Sequence, residues 1–296
     1  MKNNNILIVG SGIIGQEYSK IFTTLGIDVT IIQRSKNIEF KNNKLSKIKD
    51  DLYDLPVSTI KKYSHIIVAV QPRNSFEVVN YLLNNTNADI LVEKPLALSS
   101  QEIKLFDEMI FNQRIYIAFN RRNFESTILI KEKLDKSKLL SVNVCVTELE
   151  DRIIGHATEK EKWGICNTIH MFDLVFYLTG MPKNYDIYRK VSDGKNFIQL
   201  YSSSGDHFLN ISSGGAGNWG IDFTTTDEKY FMRPIETLKI QKLNSVELTD
   251  ISLNYDEYKP GFLHQSKQFL EKDRNAFPKF AYYLELTNFI EKFYKY

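Results

Sequence analysis

The side chain best placed for reactivity in this sequence is Lys94, in the run Ile90-Leu91-Val92-Glu93-Lys94-Pro95-Leu96-Ala97, where an apolar stretch stops at an acid, a base and a proline. In an open parallel sheet the ligand crevice lies at the carboxyl ends of the strands, so an ammonium between Glu93 and Pro95 is placed to meet its contents. The plain alternative is a solvated loop lysine. A second group lies in Cys166-Asn167-Thr168-Ile169-His170-Met171-Phe172-Asp173, where steps of four and three set Cys166, His170 and Asp173 on one helical face. Met171, Leu174, Val175 and Leu178 form an apolar side, and Gly180 suits the helix end. Three chemistries fit this group. Cys, His and Asp are all metal-ligand types, although three on one helix seldom meet on one ion without further partners. A histidine satisfied by Asp173 would be structural. A histidine poised by a carboxylate would transfer a proton.

A third segment, Gly10-Ser11-Gly12-Ile13-Ile14-Gly15, follows the apolar run Ile6 to Val9 and opens a helical pattern. The first glycine permits a tight turn and the second a close approach of pyrophosphate to the backbone. The third lets helix and strand pack, and the helix amino terminus supplies donors. The alternative is a glycine turn kept for packing alone. Dinucleotide sites that hold NAD usually place an Asp or Glu at the end of the second strand to bond the ribose 2'-hydroxyl. Here the strand ends Ile31-Ile32-Gln33-Arg34-Ser35 with no carboxylate. Arg34, with the Ser35 hydroxyl, can hold a 2'-phosphate, which favours NADP(H) over NAD(H), unless Arg34 is an exposed loop residue.

The elements that must position these groups form an α/β pattern. Ile6 to Val9, Val29 to Ile32, Ile66 to Val70, Ile90 to Val92 and Ile115 to Phe119 read as parallel strands buried on both faces. Glu17 to Leu25, Phe76 to Leu83 and Gln101 to Phe111 read as crossover helices, and Lys36 to Lys61 as short helices and loops. This predicts a Rossmann-type doubly wound unit over residues 1–120. Residues 121–296 are expected to form an α+β unit with an open, mainly antiparallel sheet. Its helices are expected near Glu125 to Lys136, Asn167 to Leu178, Phe262 to Glu271 and Lys279 to Phe293. Its strands are expected at Leu139 to Glu148, Tyr185 to Val191, Phe197 to Tyr201, Asp206 to Ser212, Gly220 to Thr225 and Leu238 to Leu243, with turns at Asp193-Gly194 and Ser204-Gly205.

The 296 residues are 43% hydrophobic and 25% charged, with Lys+Arg 38 against Asp+Glu 36, an ordinary globular balance that gives no reason to expect a nucleic-acid partner. No uncharged apolar stretch is long enough for a membrane span, and Met1-Lys2-Asn3-Asn4-Asn5 leads into a strand, so a cytoplasmic location is expected. Cys145 and Cys166 are too few for a disulfide framework and are expected as free thiols.

The glycine loop, Glu93-Lys94-Pro95, Ala118-Phe119-Asn120-Arg121-Arg122, His170-Met171-Phe172-Asp173 and the late Gly261-Phe262-Leu263-His264-Gln265-Ser266-Lys267-Gln268-Phe269-Leu270 stretch together resemble the Gfo/Idh/MocA oxidoreductases over nearly the whole chain. That resemblance implies an NAD(P)-dependent dehydrogenase or reductase acting on CH–OH groups of a sugar, cyclitol or sugar nucleotide. It also implies a homodimer or homotetramer built through the C-terminal sheet; from the ligand spacing above, no metal is expected. Its catalytic set would be Lys94, His170 and Asp173, with Lys94 touching cofactor and substrate, His170 handling the proton and Asp173 orienting. Cofactor contacts would come from Gly10, Gly12, Ile13, Ile14, Gly15, Gln33, Arg34, Ser35, Val70, Gln71, Pro72, Glu93, Lys94 and Asn120. Substrate contacts would come from Lys94, Arg121, Trp163, Asn167, His170 and Asp173.

The chain departs from that pattern at three places. Cys166 stands where many members carry an aspartate four residues before the histidine, and a neutral thiol cannot supply that charge, so the catalytic unit is expected to contract to Lys94 and His170, with Asn167 as a substrate hydrogen-bond partner. Ser75 stands where a histidine is common. Lys160-Glu161-Lys162-Trp163-Gly164 lacks the usual glycine-rich run, leaving Trp163 either to stack on a sugar ring or to anchor a loop. A regulatory NADP-binding protein without turnover is the rival reading. A serine hydrolase is not expected, because no Gly-x-Ser-x-Gly elbow occurs.

Overall fold

The computed structural model describes residues 5–33, 42–107, 113–148, 157–193, 195–214 and 216–295. Its first part runs β1 (Asn5–Val9), α1 (Ile13–Thr24), β2 (Asp28–Ile32), β3 (Leu45–Ile48), α2 (Val57–Ile60), β4 (His65–Val68), α3 (Pro72–Asn85), β5 (Asp89–Glu93), α4 (Ser100–Asp107) and β6 (Ile115–Ala118). Every pairing in this sheet is parallel, in the order β3-β2-β1-β4-β5-β6. The apolar runs form strands because both faces are covered. Ile6, Ile8, Ile31 and Ile67 face one hydrophobic cluster, and Leu7, Val9, Ile66 and Val92 face another. Strand order reverses between β1 and β4, which opens a crevice at their carboxyl ends.

The second part contains α5 (Glu125–Leu134), β7 (Leu139–Glu148), α6 (Ala157–Glu161), α7 (Ile169–Thr179), β8 (Tyr185–Ser192), β9 (Lys195–Ser202), β10 (His207–Ser213), β11 (Gly220–Thr225), β12 (Glu228–Met232), β13 (Lys239–Lys242), β14 (Thr249–Asp250), α8 (Phe262–Leu270) and α9 (Phe280–Tyr294). Its sheet runs β14-β13-β12-β11-β7-β10-β9-β8, antiparallel except for β7 beside β10. One face packs on α7 and α9 through Phe172, Phe176, Phe289 and Phe293. The other face leaves Tyr188, Phe197, Tyr201 and Phe208 exposed. The chain then returns to the first part, where α8 lays Phe262 on Tyr18 and Phe269 on Tyr116.

The predicted α/β architecture holds, with two differences in detail, and two expectations run into residues that are not described. The Lys36 to Lys61 stretch contains strand β3, whose sequence Leu-Ser-Lys-Ile hides it because an edge strand is only half buried; residues 36–41 lie outside the described residues. Strands β12 and β14 were not expected, the former because its charged start, Glu228-Lys229, masks the burial of Tyr230 and Met232. The helix expected over Gln101 to Phe111 is described only as far as Asp107. Gly194, of the expected Asp193-Gly194 turn, also lies outside the described residues.

Candidate active site

The glycine loop has the stereochemistry its sequence demands. Gly10 lies at φ +111°, where an added Cβ would stand 2.3 Å from the Ala69 oxygen; at Gly15 it would stand 1.9 Å from the Gly10 oxygen. Gly12 is different, since a Cβ there would meet nothing within 4 Å. Two glycines are thus required by packing, while the middle one faces open space at the start of α1, where backbone donors await an anion. Beside it Ile13 is 72% exposed, an apolar side chain that a bound nucleotide would cover. These features fit a dinucleotide. Gln33 is buried at the end of β2. Arg34 and Ser35, which carry the NADP expectation, lie outside the described residues.

A cavity of about 400 Å³ opens at the carboxyl ends of the first sheet. It gathers groups from the first turn of α1 (Ile14), the segment after β4 (Ala69 and Val70), the end of β5 (Glu93 and Lys94), the turn after β6 (Asn120 and Arg121) and helix α7 (His170). Of the expected cofactor residues beyond the cavity, Gln71 is exposed and Pro72 begins α3.

Neighbours from distant segments fix Lys94 in place. Its Nζ donates to the Cys166 backbone oxygen at 2.6 Å, at the level where residues Gly164–Thr168 form a π-helical turn. Such turns widen a helix and are frequent at functional sites. Glu93 accepts the Tyr18 hydroxyl at 2.7 Å, and that hydroxyl accepts from Gln265 Nε2 at 2.7 Å, so α1 and α8 both brace the end of β5. Tyr283 Oη accepts the Leu96 N–H at 3.0 Å, so α9 holds the far side. Burial lowers the Lys94 pKa from its ordinary 10.5 to about 8; Glu93 opposes the fall and Arg121 adds to it. Burial likewise pushes His170 well below its ordinary 6.5, with Lys94 and Arg121 acting in the same direction, so the imidazole is neutral near neutral pH. Its Nδ1 is buried without a hydrogen-bond partner among the described residues.

The structure separates groups that helical spacing placed together. Cys166, His170 and Asp173 do not converge. The π-helical turn changes the register before α7, and Asp173 is fully buried against Arg122, whose Nε and Nη2 donate to its carboxylate at 2.9 and 2.5 Å. Tyr177 and Tyr282 flank that guanidinium. Asp173 therefore anchors α7 to the turn after β6 and does not line the cavity. Among the described residues no three His, Cys, Asp or Glu side chains are grouped as metal ligands. Ser75, at the position where a histidine is common, is buried within α3.

Trp163 and Asn167 also stand apart from the cavity lining. Both donate to Glu148, Asn167 Nδ2 at 3.1 Å and Trp163 through its indole N–H, and the Thr168 hydroxyl donates to the same carboxylate. Glu148 is the buried end of β7, and burial raises its pKa while these donors oppose the rise. Neither Glu148 nor the cavity residues Glu236 and Lys259 were singled out in the sequence. Their partners are distant in the chain, and an isolated Glu or Lys carries no local signal.

Three kinds of comparison bear on this arrangement. Residues 5–51 match the family model for pyridine nucleotide-disulphide oxidoreductase, which covers the first strand, the glycine loop and the second strand. No curated protein sequence matches. Among solved structures, a Gfo/Idh/MocA family oxidoreductase from Vibrio cholerae superposes with a TM-score of 0.73 at 16% identity, covering 98% of this chain and 96% of that one. The chain has the Gfo/Idh/MocA fold. A UDP-N-acetylglucosamine 3-dehydrogenase from Acidithiobacillus ferrooxidans gives 0.72 at 12% identity, covering 98% and 96% of the two chains. The transcriptional regulator Gal80p from Kluyveromyces lactis gives 0.71 at 16%, covering 99% and 89%.

Proposed function

We propose that this protein is an NAD(P)-dependent oxidoreductase acting on a CH–OH or carbonyl carbon of a sugar, cyclitol or sugar derivative. The observation that carries this reading is the pairing, in one crevice beside an open glycine loop, of a lysine whose pKa falls to about 8 with a histidine held neutral. The nicotinamide, when bound, supplies the hydride acceptor or donor. Lys94 then polarises the substrate oxygen and takes its proton in the oxidative direction. His170 is the second proton-handling group. Asp173 acts only through the position of α7. Residues 1–120, supported by α8, form the nucleotide-binding part, and the remainder shapes the substrate side. The Arg34-Ser35 sequence favours NADP(H) over NAD(H).

Tyr188, Phe197, Tyr201 and Phe208 on the outer face of the second sheet support a homodimer or homotetramer joined there. No helix among the described residues is long and apolar enough to cross a membrane, and both cysteines are free. We place the protein in the cytoplasm.

The test is to supply NADP⁺ or NAD⁺ with sugars, sugar acids and nucleotide sugars and follow absorbance of the reduced cofactor. Lys94→Ala is expected to lower turnover by roughly 10²- to 10⁴-fold. A second reading, a nucleotide-dependent regulator without turnover, draws on one observation: the Lys94 ammonium already donates to the Cys166 carbonyl. Tight nucleotide binding with no turnover, unchanged in Lys94→Ala, favours that reading. A tighter grip on NAD⁺ than on NADP⁺ overturns the role given to Arg34.

A further inference from the structure

Two adjacent arginines in the turn Asn120–Asn123 receive opposite treatment. Arg122 is buried, but the protein gives it a two-pronged carboxylate in Asp173. Arg121 receives none. It has no ion pair within 4.0 Å among the described residues, and its Nη1 is buried without a hydrogen-bond partner there. Glu236 and Glu148 act on it only through longer-range attraction. Burying a guanidinium without a matching anion is costly, and the cost is removed when a carboxylate takes both prongs of the fork.

The side chain is nonetheless held in a fixed pose. Its guanidinium stacks 4.4 Å from the Trp219 ring, and the indole N–H donates to the Thr147 oxygen at 3.2 Å. The Arg121 backbone oxygen accepts from the Thr127 hydroxyl at 2.8 Å. Arg121 lines the crevice with one face covered by an aromatic ring, and a planar cation so held meets a ligand through its in-plane N–H groups.

The charge of the crevice has one sign to spare. Its described lining contains three cations, Lys94, Arg121 and Lys259, against two carboxylates, Glu93 and Glu236, with His170 neutral. Glu93 is already engaged by Tyr18. The surplus is positive and suits an anionic ligand.

We propose that Arg121 receives a carboxylate carried by the substrate, so that the substrate is a hydroxy acid of the aldonate or uronate kind. The proposal rests on the oxidoreductase reading for the identity of the reacting group, but the binding of an acid is measured without turnover. The nucleotide-loaded protein is titrated calorimetrically with glycerate, D-gluconate and D-glucuronate, each against its uncharged counterpart, glycerol, sorbitol and D-glucose. At least one acid is expected to bind about ten-fold or more tightly than its counterpart. Arg121→Met is expected to abolish that preference and Arg121→Lys to keep part of it, because a lysine retains the charge without the fork. If Arg121→Met does not fold, the wild-type ratios and Arg121→Lys decide. Equal or tighter binding of every uncharged partner overturns the proposal, as does an undiminished preference in Arg121→Met. Turnover of an uncharged polyol with no binding of acids leaves the oxidoreductase reading standing while this proposal falls. Arg121-dependent binding of an acid with no nicotinamide reduction does the reverse.

Discussion

Replacing Lys94 by methionine should make the nucleotide-free protein more stable at neutral pH while removing its activity. The reason lies in the price of holding an ammonium in the crevice. A fall in pKa from 10.5 to about 8 corresponds to about 3 kcal/mol of disfavour for the charged form in the folded state. Methionine removes that cost and leaves the Cys166 oxygen without its 2.6 Å donor, a loss of about 1 kcal/mol. The net expectation at pH 7 is a gain of about 2 kcal/mol. The sign of its pH dependence follows from linkage. Because the folded pKa lies below the unfolded one, the unfolded chain binds more protons between about pH 8 and 10.5, and wild-type stability rises across that window relative to a variant that cannot titrate there. The advantage of Lys94→Met should therefore shrink by about 3 kcal/mol and reverse by pH 10.5. Urea unfolding of both proteins from pH 7 to pH 10.5 gives the difference directly, since groups common to both cancel. A variant less stable than wild type at pH 7, or a difference flat with pH, refutes the placement of a desolvated ammonium at this point.

Gly12→Ala should leave the melting temperature nearly unchanged but weaken nucleotide binding by about ten-fold or more, read from nicotinamide fluorescence, because its Cβ enters only the space a diphosphate needs. Gly15→Ala should instead lower stability, since its Cβ meets the Gly10 oxygen. Asp173→Asn should cost about 3–5 kcal/mol in urea unfolding by stranding Arg122, with kcat per folded molecule largely kept. In the oxidative direction kcat/KM should rise through about pH 8 as Lys94 loses its proton, and Glu93→Gln should move that limb to lower pH, since Glu93 supports the charged form.

The first α/β unit is readable from sequence because strands buried on both faces become uninterrupted apolar runs, and because Gly10 and Gly15 answer to a local packing need. Lys94 is readable for the same reason: it marks where such a run stops. The second group misleads because it assumes regular helix. A π-helical turn over Gly164–Thr168 breaks the assumed face, and the partner that claims Asp173 lies at Arg122, beyond any local pattern. Asn167 reads as a substrate contact and Trp163 as either a sugar-stacking surface or a loop anchor, yet both donate to Glu148 at the end of β7. Edge strand β3 stayed hidden because half-exposed positions tolerate Ser46 and Lys47.

Cys166 bears on how the chemistry is tuned. In the resemblance the aspartate at this position would set a charge near Lys94, whereas here the thiol is pushed up to about 12, chiefly by burial, and stays neutral at working pH. The lysine meets a backbone dipole instead of a carboxylate, which supports its hydrogen bond without restoring its ordinary basicity. The chain thereby keeps a loosened proton on Lys94 at the cost of a neutral His170. A carboxylate introduced by Cys166→Asp would favour the charged form of Lys94 and, to the extent that it ionises, raise the limb of kcat/KM by about 1 to 3 pH units above its expected position near 8. The measurement is the pH profile of oxidation by wild type and Cys166→Asp at saturating nucleotide. An unmoved limb is resolved by Glu93→Gln: if the limb moves in that variant the new carboxyl at 166 is protonated, and if it moves in neither variant Lys94 is not the titrating base.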